Sequence, residues 1–461
     1  MVIEGIIRNL PEVQAPVEKK VSFNTKLKWT LIVLLLFFFL ANISLYGLEK
    51  NSLERFKYLA IILGTDFGSV ISLGIGPIVM ASIILQLLMG GGILKIDVHT
   101  EEGKKYFQGL QKLVVILFII FEACVYVLMK GLQAVPGFEI ILIFQLMLGG
   151  LAIVYLDGLV TKWGFGSGVS LFIAAGVAWR IFSGLFQFIG VDGSNCLADF
   201  SRTPCAGKLL VIVQALINQS PGEALNAFLV IFFTALIFII VIWASSLKIE
   251  VPLSFDRLRG YGIRWPLNFF YTSNIPVILT AALVANVQLF AGLLESSLGR
   301  ATILGGFSQG TPISGFAFWV NPVNLVSGII TGSLRTLDLF RGISSTLFFI
   351  AFSVLFAYLW MKTAGLDASS QAKNIMSSGL QIPGFRRDER ILESVLERYI
   401  TPLTVMGGAA IGLLASAADL LGALTNGTAI LLAVMILYNF YENIAKQHAV
   451  DMHPALRGMM Q

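Results

Sequence analysis

The chain has 461 residues, of which 56% are hydrophobic and only 13% charged. That charged share is about half of what soluble globular proteins carry, which excludes a water-soluble enzyme of this length. The surplus of 32 Lys and Arg over 27 Asp and Glu is too small to mark a nucleic-acid-binding protein.

Residues 1–28 place Val2, Ile3, Ile6, Ile7 and Leu10 at helical spacing ahead of Lys19, Lys20, Lys26 and Lys28. This is the pattern of an amphipathic segment lying on a membrane surface, and no cleavable signal peptide is expected. Ten apolar runs follow, near 29–48, 69–89, 109–130, 138–157, 167–189, 223–246, 274–294, 342–362, 402–421 and 427–446. Each approaches the roughly 20 residues that cross about 30 Å of hydrocarbon as a helix. Lipid cannot satisfy open backbone groups, so helices are the expected form. The fold class expected is an all-α polytopic membrane protein with ten transmembrane helices in two pseudo-symmetric, inverted five-helix halves.

The expected organisation runs as follows. Residues 1–28 form the cytosolic N-terminal segment, 29–189 the N-terminal half and 190–222 an external loop. Residues 223–446 form the C-terminal half, with cytosolic loops at 247–273 and 363–400, and 447–461 a cytosolic tail. With the N-terminus inside, 22 of the 32 Lys and Arg fall on the cytosolic side, as the positive-inside bias requires. Trp29, Trp163, Trp243 and Trp360 then lie at cytosolic ends of spans.

Two spans carry breaks. The second contains Gly74-Ile75-Gly76-Pro77 and the seventh opens Asn274-Ile275-Pro276. Pro removes a backbone donor, so these helices must kink, break or start there. Matching interruptions in two halves point to a substrate path between inverted repeats. The apolar stretch 55–67 is too short to span and reads as re-entrant or interfacial. Of the acids at or near membrane depth, Asp157 and Asp419 are expected at the interface, while Glu122 lies within a span and is the functional candidate.

Cys124 reads as a small hydrophobe, and no C-x-x-C suggests a metal site. Cys196 and Cys205 share one polar loop and can pair if that loop faces an oxidising exterior. In loop 247–273 two alternating runs flank Gly260 and Gly262, a hairpin pattern with Arg257, Arg259 and Arg264 near its tip. Loop 363–400 carries Arg386 and Arg387, then an amphipathic helix with Ile391, Val395 and Leu396. Together the loops offer a basic cytosolic surface for a polyanion. Gly306-Phe307-Ser308-Gln309-Gly310 has the spelling of a nucleophile elbow, but it lies outside while His99, His448 and His453 lie inside, so no triad can close.

Leu73-Gly-Ile-Gly-Pro-Ile-Val79, the run from Gly166 to Gly176, Ser273-Asn-Ile-Pro-Val-Ile278 and Arg398-Tyr-Ile-Thr-Pro-Leu-Thr404 closely resemble the SecY family of protein-conducting channels. Pro11-Glu-Val-Gln-Ala-Pro16 and Lys28-Trp29-Thr30 resemble its archaeal and eukaryotic branch. The resemblance covers essentially the whole chain, apart from loops 190–222 and 295–341.

The resemblance implies a channel whose waist is a ring of apolar side chains, here Ile75, Val79, Val169, Ile173, Ile278 and Leu432. A plug near 56–66 would include Phe56, Tyr58, Leu59, Ile61, Ile62 and Leu63. A lateral gate between spans 2–3 and 7–8 would carry Glu122 and Asn286, with Met80 where the family usually has a hydroxyl and Ser82 pointing elsewhere on the helix. Arg257, Arg259, Arg386 and Arg387 fall in the family's ribosome-docking loops. The function implied is passage of unfolded polypeptides across the membrane and sideways release of transmembrane segments into lipid. No cofactor and no enzymatic activity are expected. The partners implied are two small membrane subunits (SecE/gamma-like and beta-like) in a heterotrimer, the ribosome, and signal sequences and nascent chains. The location implied is the plasma membrane of an archaeon, with both termini cytosolic. The rival reading is an inverted-repeat secondary transporter for a small solute, against which the scarcity of intramembrane charge weighs.

Overall fold

The computed structural model describes residues 12–16, 21–48, 68–90, 93, 94, 96, 101–128, 132, 134–188, 196, 205–255, 262–273, 275–298, 300–308, 311–381 and 388–452. Among them, nine helices are long and apolar enough to cross a membrane. The chain divides into two compact units, Met1–Val177 with Ile436–Gln461, and Ala178–Met435.

The first unit contains α1 (Phe23–Ala41), α2 (Gly76–Gly90), α3 (Glu101–Leu128), α4 (Glu139–Trp163) and most of α5 (Gly168–Phe186). The apolar run 69–89 is helical only from Gly76. Pro77 is the second helical residue, where its missing N–H costs nothing. Residues 69–75 run as turns, with Gly74 at φ +57°. Non-helical backbone at membrane depth survives only when protein covers it. Here Ile71, Ser72 and Leu73 are fully buried, and the Ser72 hydroxyl accepts from Gly68 N–H and donates to the Ser69 carbonyl. Gly149 on α4 makes room for this segment, because a Cβ there would overlap the Val70 carbonyl. Gly150 beside it lets Ile119 of α3 pack close, and Phe37 of α1 stacks on Phe172 of α5 at 4.7 Å.

The second unit holds α6 (Lys208–Ile217), α7 (Pro221–Ser246), α8 (Ile275–Leu298), α9 (Gly315–Val320), α10 (Leu325–Ile330), α11 (Thr336–Thr363), α12 (Ala368–Ser377) and α13 (Glu389–Leu420). The last helix, α14 (Gly427–Met452), begins in this unit and ends in the first. Gly408 and Gly412 of α13 let it lie directly against the α11 backbone, the small-residue packing that membrane helices use.

Loop 247–273 forms the hairpin its alternation implies: β1 (Lys248–Phe255) pairs antiparallel with β2 (Gly262–Asn268). Its inward residues Val251, Leu253 and Leu267 pack on Leu392, Leu396, Ile400 and Leu403 of α13. The amphipathic helix and the ninth span are therefore one helix, running through Pro402, and Leu392 replaces Ile391 on the buried face. The outer segment after α8 folds β3 (Gly306–Ser308) onto β4 (Thr311–Ser314), so the Gly306–Ser308 spelling belongs to a hairpin and no helix follows the serine directly. A short strand, β5 (Leu380–Gln381), extends the cytosolic-loop sheet in the order β2-β1-β5.

Candidate channel elements

In the first unit Ile75 belongs to the buried core, and Val79, Val169 and Ile173 pack against that same core from its edge. Four of the six expected ring residues thus belong to one apolar cluster, at the starts of α2 and α5. In the second unit Ile278 is half-buried, three residues into α8, and Leu432 is buried near the start of α14. Every ring residue therefore lies at or beside the first turns of a helix.

The Ser82 hydroxyl of α2 is half-buried and makes two hydrogen bonds. It donates to the Ile78 carbonyl and accepts from the side-chain amide of Gln111 on α3 at 2.6 Å. Met80 and Glu122 are half-buried in α2 and α3. Asn286 belongs to α8, with its side chain outside the described residues. Thr280 on α8 repeats the arrangement of Ser82 within the second unit. Its hydroxyl donates to the Pro276 carbonyl and lies 3.2 Å from the Ser353 hydroxyl of α11. Thr280 and Ser353 are both fully buried.

The plug residues Phe56, Tyr58, Leu59, Ile61, Ile62 and Leu63 lie outside the described residues, as do Arg257, Arg259, Arg386 and Arg387. Their flanks are described. Arg257 and Arg259 belong to the connection between β1 and β2, and Arg386 and Arg387 to the connection between β5 and α13. Ser254 pairs with Gln381 across β1 and β5. Both basic connections therefore start from paired strands of one small sheet.

Three features escaped sequence reasoning. The first is a strap at the N-terminus. The Glu12 carboxylate bridges Lys112 of α3 at 2.6 Å and Lys162 of α4 at 2.8 Å. Lys162 also donates to the Val13 carbonyl and Trp163 to the Gln14 carbonyl. The Lys112 ammonium, then that of Lys162, hold the Glu12 carboxyl below its usual range. The second is α6, too short to register as a span, which begins three residues after the Cys196–Cys205 disulfide. The third is a pair of aspartates near helix ends, each bonded to the start of the next helix. The Asp157 carboxylate accepts from Val169 N–H at 2.9 Å, and that of Asp419 from Gly427 N–H at 2.6 Å.

Comparison with known proteins bears on the whole chain. The SecY family model matches residues 69–441. The protein translocase subunit SecY of Methanothermobacter thermautotrophicus is 43% identical over 99% of this chain and 98% of its own length. That of Pyrococcus furiosus is 39% identical over 99% and 98%. A solved protein-conducting channel superposes with a TM-score of 0.79 at 36% identity, covering 98% of both chains. Sec61 from a canine ribosome-channel complex of the endoplasmic reticulum gives 0.77 at 34% identity, again covering 98% of both. The chain is a multi-pass integral membrane protein and belongs to the SecY family of protein-conducting channels.

Proposed function

We infer that this chain is the pore-forming subunit of a protein translocation channel, and that it is not an enzyme. The observation that carries this is the end-to-end likeness to a SecY subunit, at 43% identity over 99% of this chain and 98% of the relative. A solute transporter is not favoured beside that likeness.

The residues supply the physics. Ile75, Val79, Val169, Ile173, Ile278 and Leu432 would form the waist of the path. Branched aliphatic side chains yield around a passing peptide, yet a narrow apolar constriction resists water and ions by dewetting. The segment containing residues 56–66 would close the path at rest. Sideways release would occur between α2 and α8, near Met80, Glu122 and Asn286. The energy comes from a partner that pushes or pulls the polypeptide.

The partners we propose are two small membrane subunits of SecE/gamma-like and beta-like type, the ribosome, and signal sequences. Support for the ribosome comes from the solved canine relative, which was in a ribosome-channel complex. It also comes from the two basic connections that start from paired strands of one sheet. The location we propose is the plasma membrane of an archaeon, with both termini in the cytosol. This rests on the charge asymmetry and on archaeal relatives.

The test is reconstitution. Vesicles containing this chain and its small subunits should take up a secretory polypeptide only when it carries a signal sequence. Uptake of a small solute with no polypeptide transport would overturn the reading.

A further inference from the structure

Two helices that carry expected ring residues start in the same way. α5 opens at Gly168 and α14 at Gly427, and Ile173 and Leu432 each stand five residues further on. Each opening glycine presses on the preceding helix. A Cβ on Gly168 would come within 2.6 Å of the Asp157 Cα, and one on Gly427 would overlap the Ala415 carbonyl and meet the Ala418 Cβ at 2.7 Å.

Each start is also capped by an aspartate from near the end of that preceding helix. Asp157 of α4 accepts from Val169 N–H. Asp419 of α13 accepts from Gly427 N–H. The first N–H groups of a helix have no partner within it, and a carboxylate satisfies them while opposing the helix dipole.

The consequence is geometric. An Asp side chain is short, so a bond from it to the first turn fixes both the height and the rotation of the helix it caps. Ile173 and Leu432 lie about 7.5 Å along the axis from that anchor, at about 1.5 Å per residue. Val169 is bound directly, since its own N–H is the donor. We propose that Asp157 and Asp419 are positioning residues of the resting pore: they set where Val169, Ile173 and Leu432 stand, and so keep the waist shut. This deepens the pore-ring reading above and rests on it.

The experiment measures potassium conductance of the purified full chain in planar bilayers, with no polypeptide substrate. Asp157→Leu and Asp419→Leu should each raise the resting leak about fivefold or more, the effect of losing one hydrogen bond on a minor open state. Asp157→Asn and Asp419→Asn keep an acceptor oxygen and should stay within about twofold of wild type. Val169→Ser serves as the control for the ring itself.

A leak in Val169→Ser without one in the Leu variants would overturn the positioning role and leave the ring standing. So would equal leaks in the Asn and Leu variants. No leak in Val169→Ser would overturn the ring reading and this inference with it. Should a Leu variant fail to fold, Gly168→Ala tests the same anchor, because the added Cβ pushes α5 off Asp157 while the carboxylate remains. It should leak like the Leu variants, and a tight Gly168→Ala channel beside a leaking Val169→Ser would count against the proposal. Thermal unfolding, measured in parallel, separates the two roles: a purely structural aspartate would lower the midpoint without raising the leak.

Discussion

The Gln111 amide of α3 donates to the Ser82 hydroxyl of α2 at 2.6 Å, while Ser82 itself donates back to the Ile78 carbonyl. The bond ties the first interrupted span to its successor. Thr280 does the same for the second interrupted span. Its proton is used on the Pro276 carbonyl, so Ser353 of α11 is the donor between them. Each unit thus holds a helix pair that would move together.

A double-mutant cycle measures this coupling. Ser82→Ala leaves the Gln111 amide without its partner, which should cost about 1–3 kcal/mol, and Gln111→Leu should cost less. The double variant should fall short of the sum by about 0.6–1.5 kcal/mol, the range found for polar bonds between membrane helices. Additive losses in the unfolding of the purified chain would mean the two side chains are independent.

The Glu12 strap should depend on pH and salt. Its carboxyl is held below the ordinary value of 4.5. Such a group contributes stability above its unfolded pKa, and that contribution fades as pH falls through the lower folded value. Glu12 is half-exposed, so the contribution is about 1 kcal/mol at most. Glu12→Gln should therefore lower the unfolding midpoint at neutral pH in low salt. The gap to wild type should close well below pH 4.5 and in roughly 1 M salt, where the Debye length is about 3 Å. A gap that persists under both conditions would place the effect in packing.

How much of this was legible beforehand varied with sequence distance. The spans could be read because a run of about 20 apolar residues has few alternatives to a membrane helix. The start of α2 could be read from Pro77, and the β1–β2 hairpin from its alternation. The strap could not, because Glu12 finds its partners 100 and 150 residues away. The continuity of α13 through Pro402 was hidden for a related reason. Leu392, Leu396, Ile400 and Leu403 form one stripe whose partner, the hairpin, lies more than 100 residues earlier. Packing on that stripe holds the helix together across a residue that locally favours a break.

The basic connections should serve ribosome docking. Arg257→Glu and Arg386→Glu should each weaken ribosome binding, most strongly at low salt, since exposed charges are screened beyond about 10 Å at 0.1 M. Co-sedimentation across a salt series reads this directly. Binding unchanged in affinity and in salt dependence would leave these arginines as ordinary positive-inside residues.

The topology can be tested by labelling. Glu250 on β1 and Ser308 on β3 are both exposed. Placed singly as Glu250→Cys and Ser308→Cys in a Cys124→Ser background, they should react with an impermeant maleimide from opposite faces of the membrane. Labelling from the same face would break the alternating ten-span arrangement.

The sideways exit makes the most demanding prediction. A helical segment is about 10–12 Å across, so it can reach lipid only if two helices part by that much. The interrupted helices α2 and α8 are the pair proposed to separate, each moving with the successor that Ser82–Gln111 or Thr280–Ser353 ties to it. At rest the open state is a minor one, and a hydrophobic segment shifts the population by preferring it. A disulfide that pins α2 to α8 should therefore abolish both translocation and membrane insertion, with reduction restoring both. Suitable cysteine pairs can be found by scanning positions around Ile83 and Val287. Signal-dependent uptake into vesicles, measured before and after oxidation, gives the answer. If a fully crosslinked pair still transports at the reduced rate, polypeptides do not need that opening and the exit lies elsewhere. Asn286→Leu gives a milder version of the same test. It should shift the hydrophobicity at which a segment leaves for lipid while barely changing the unfolding midpoint, because it alters the balance between closed and open and not the fold.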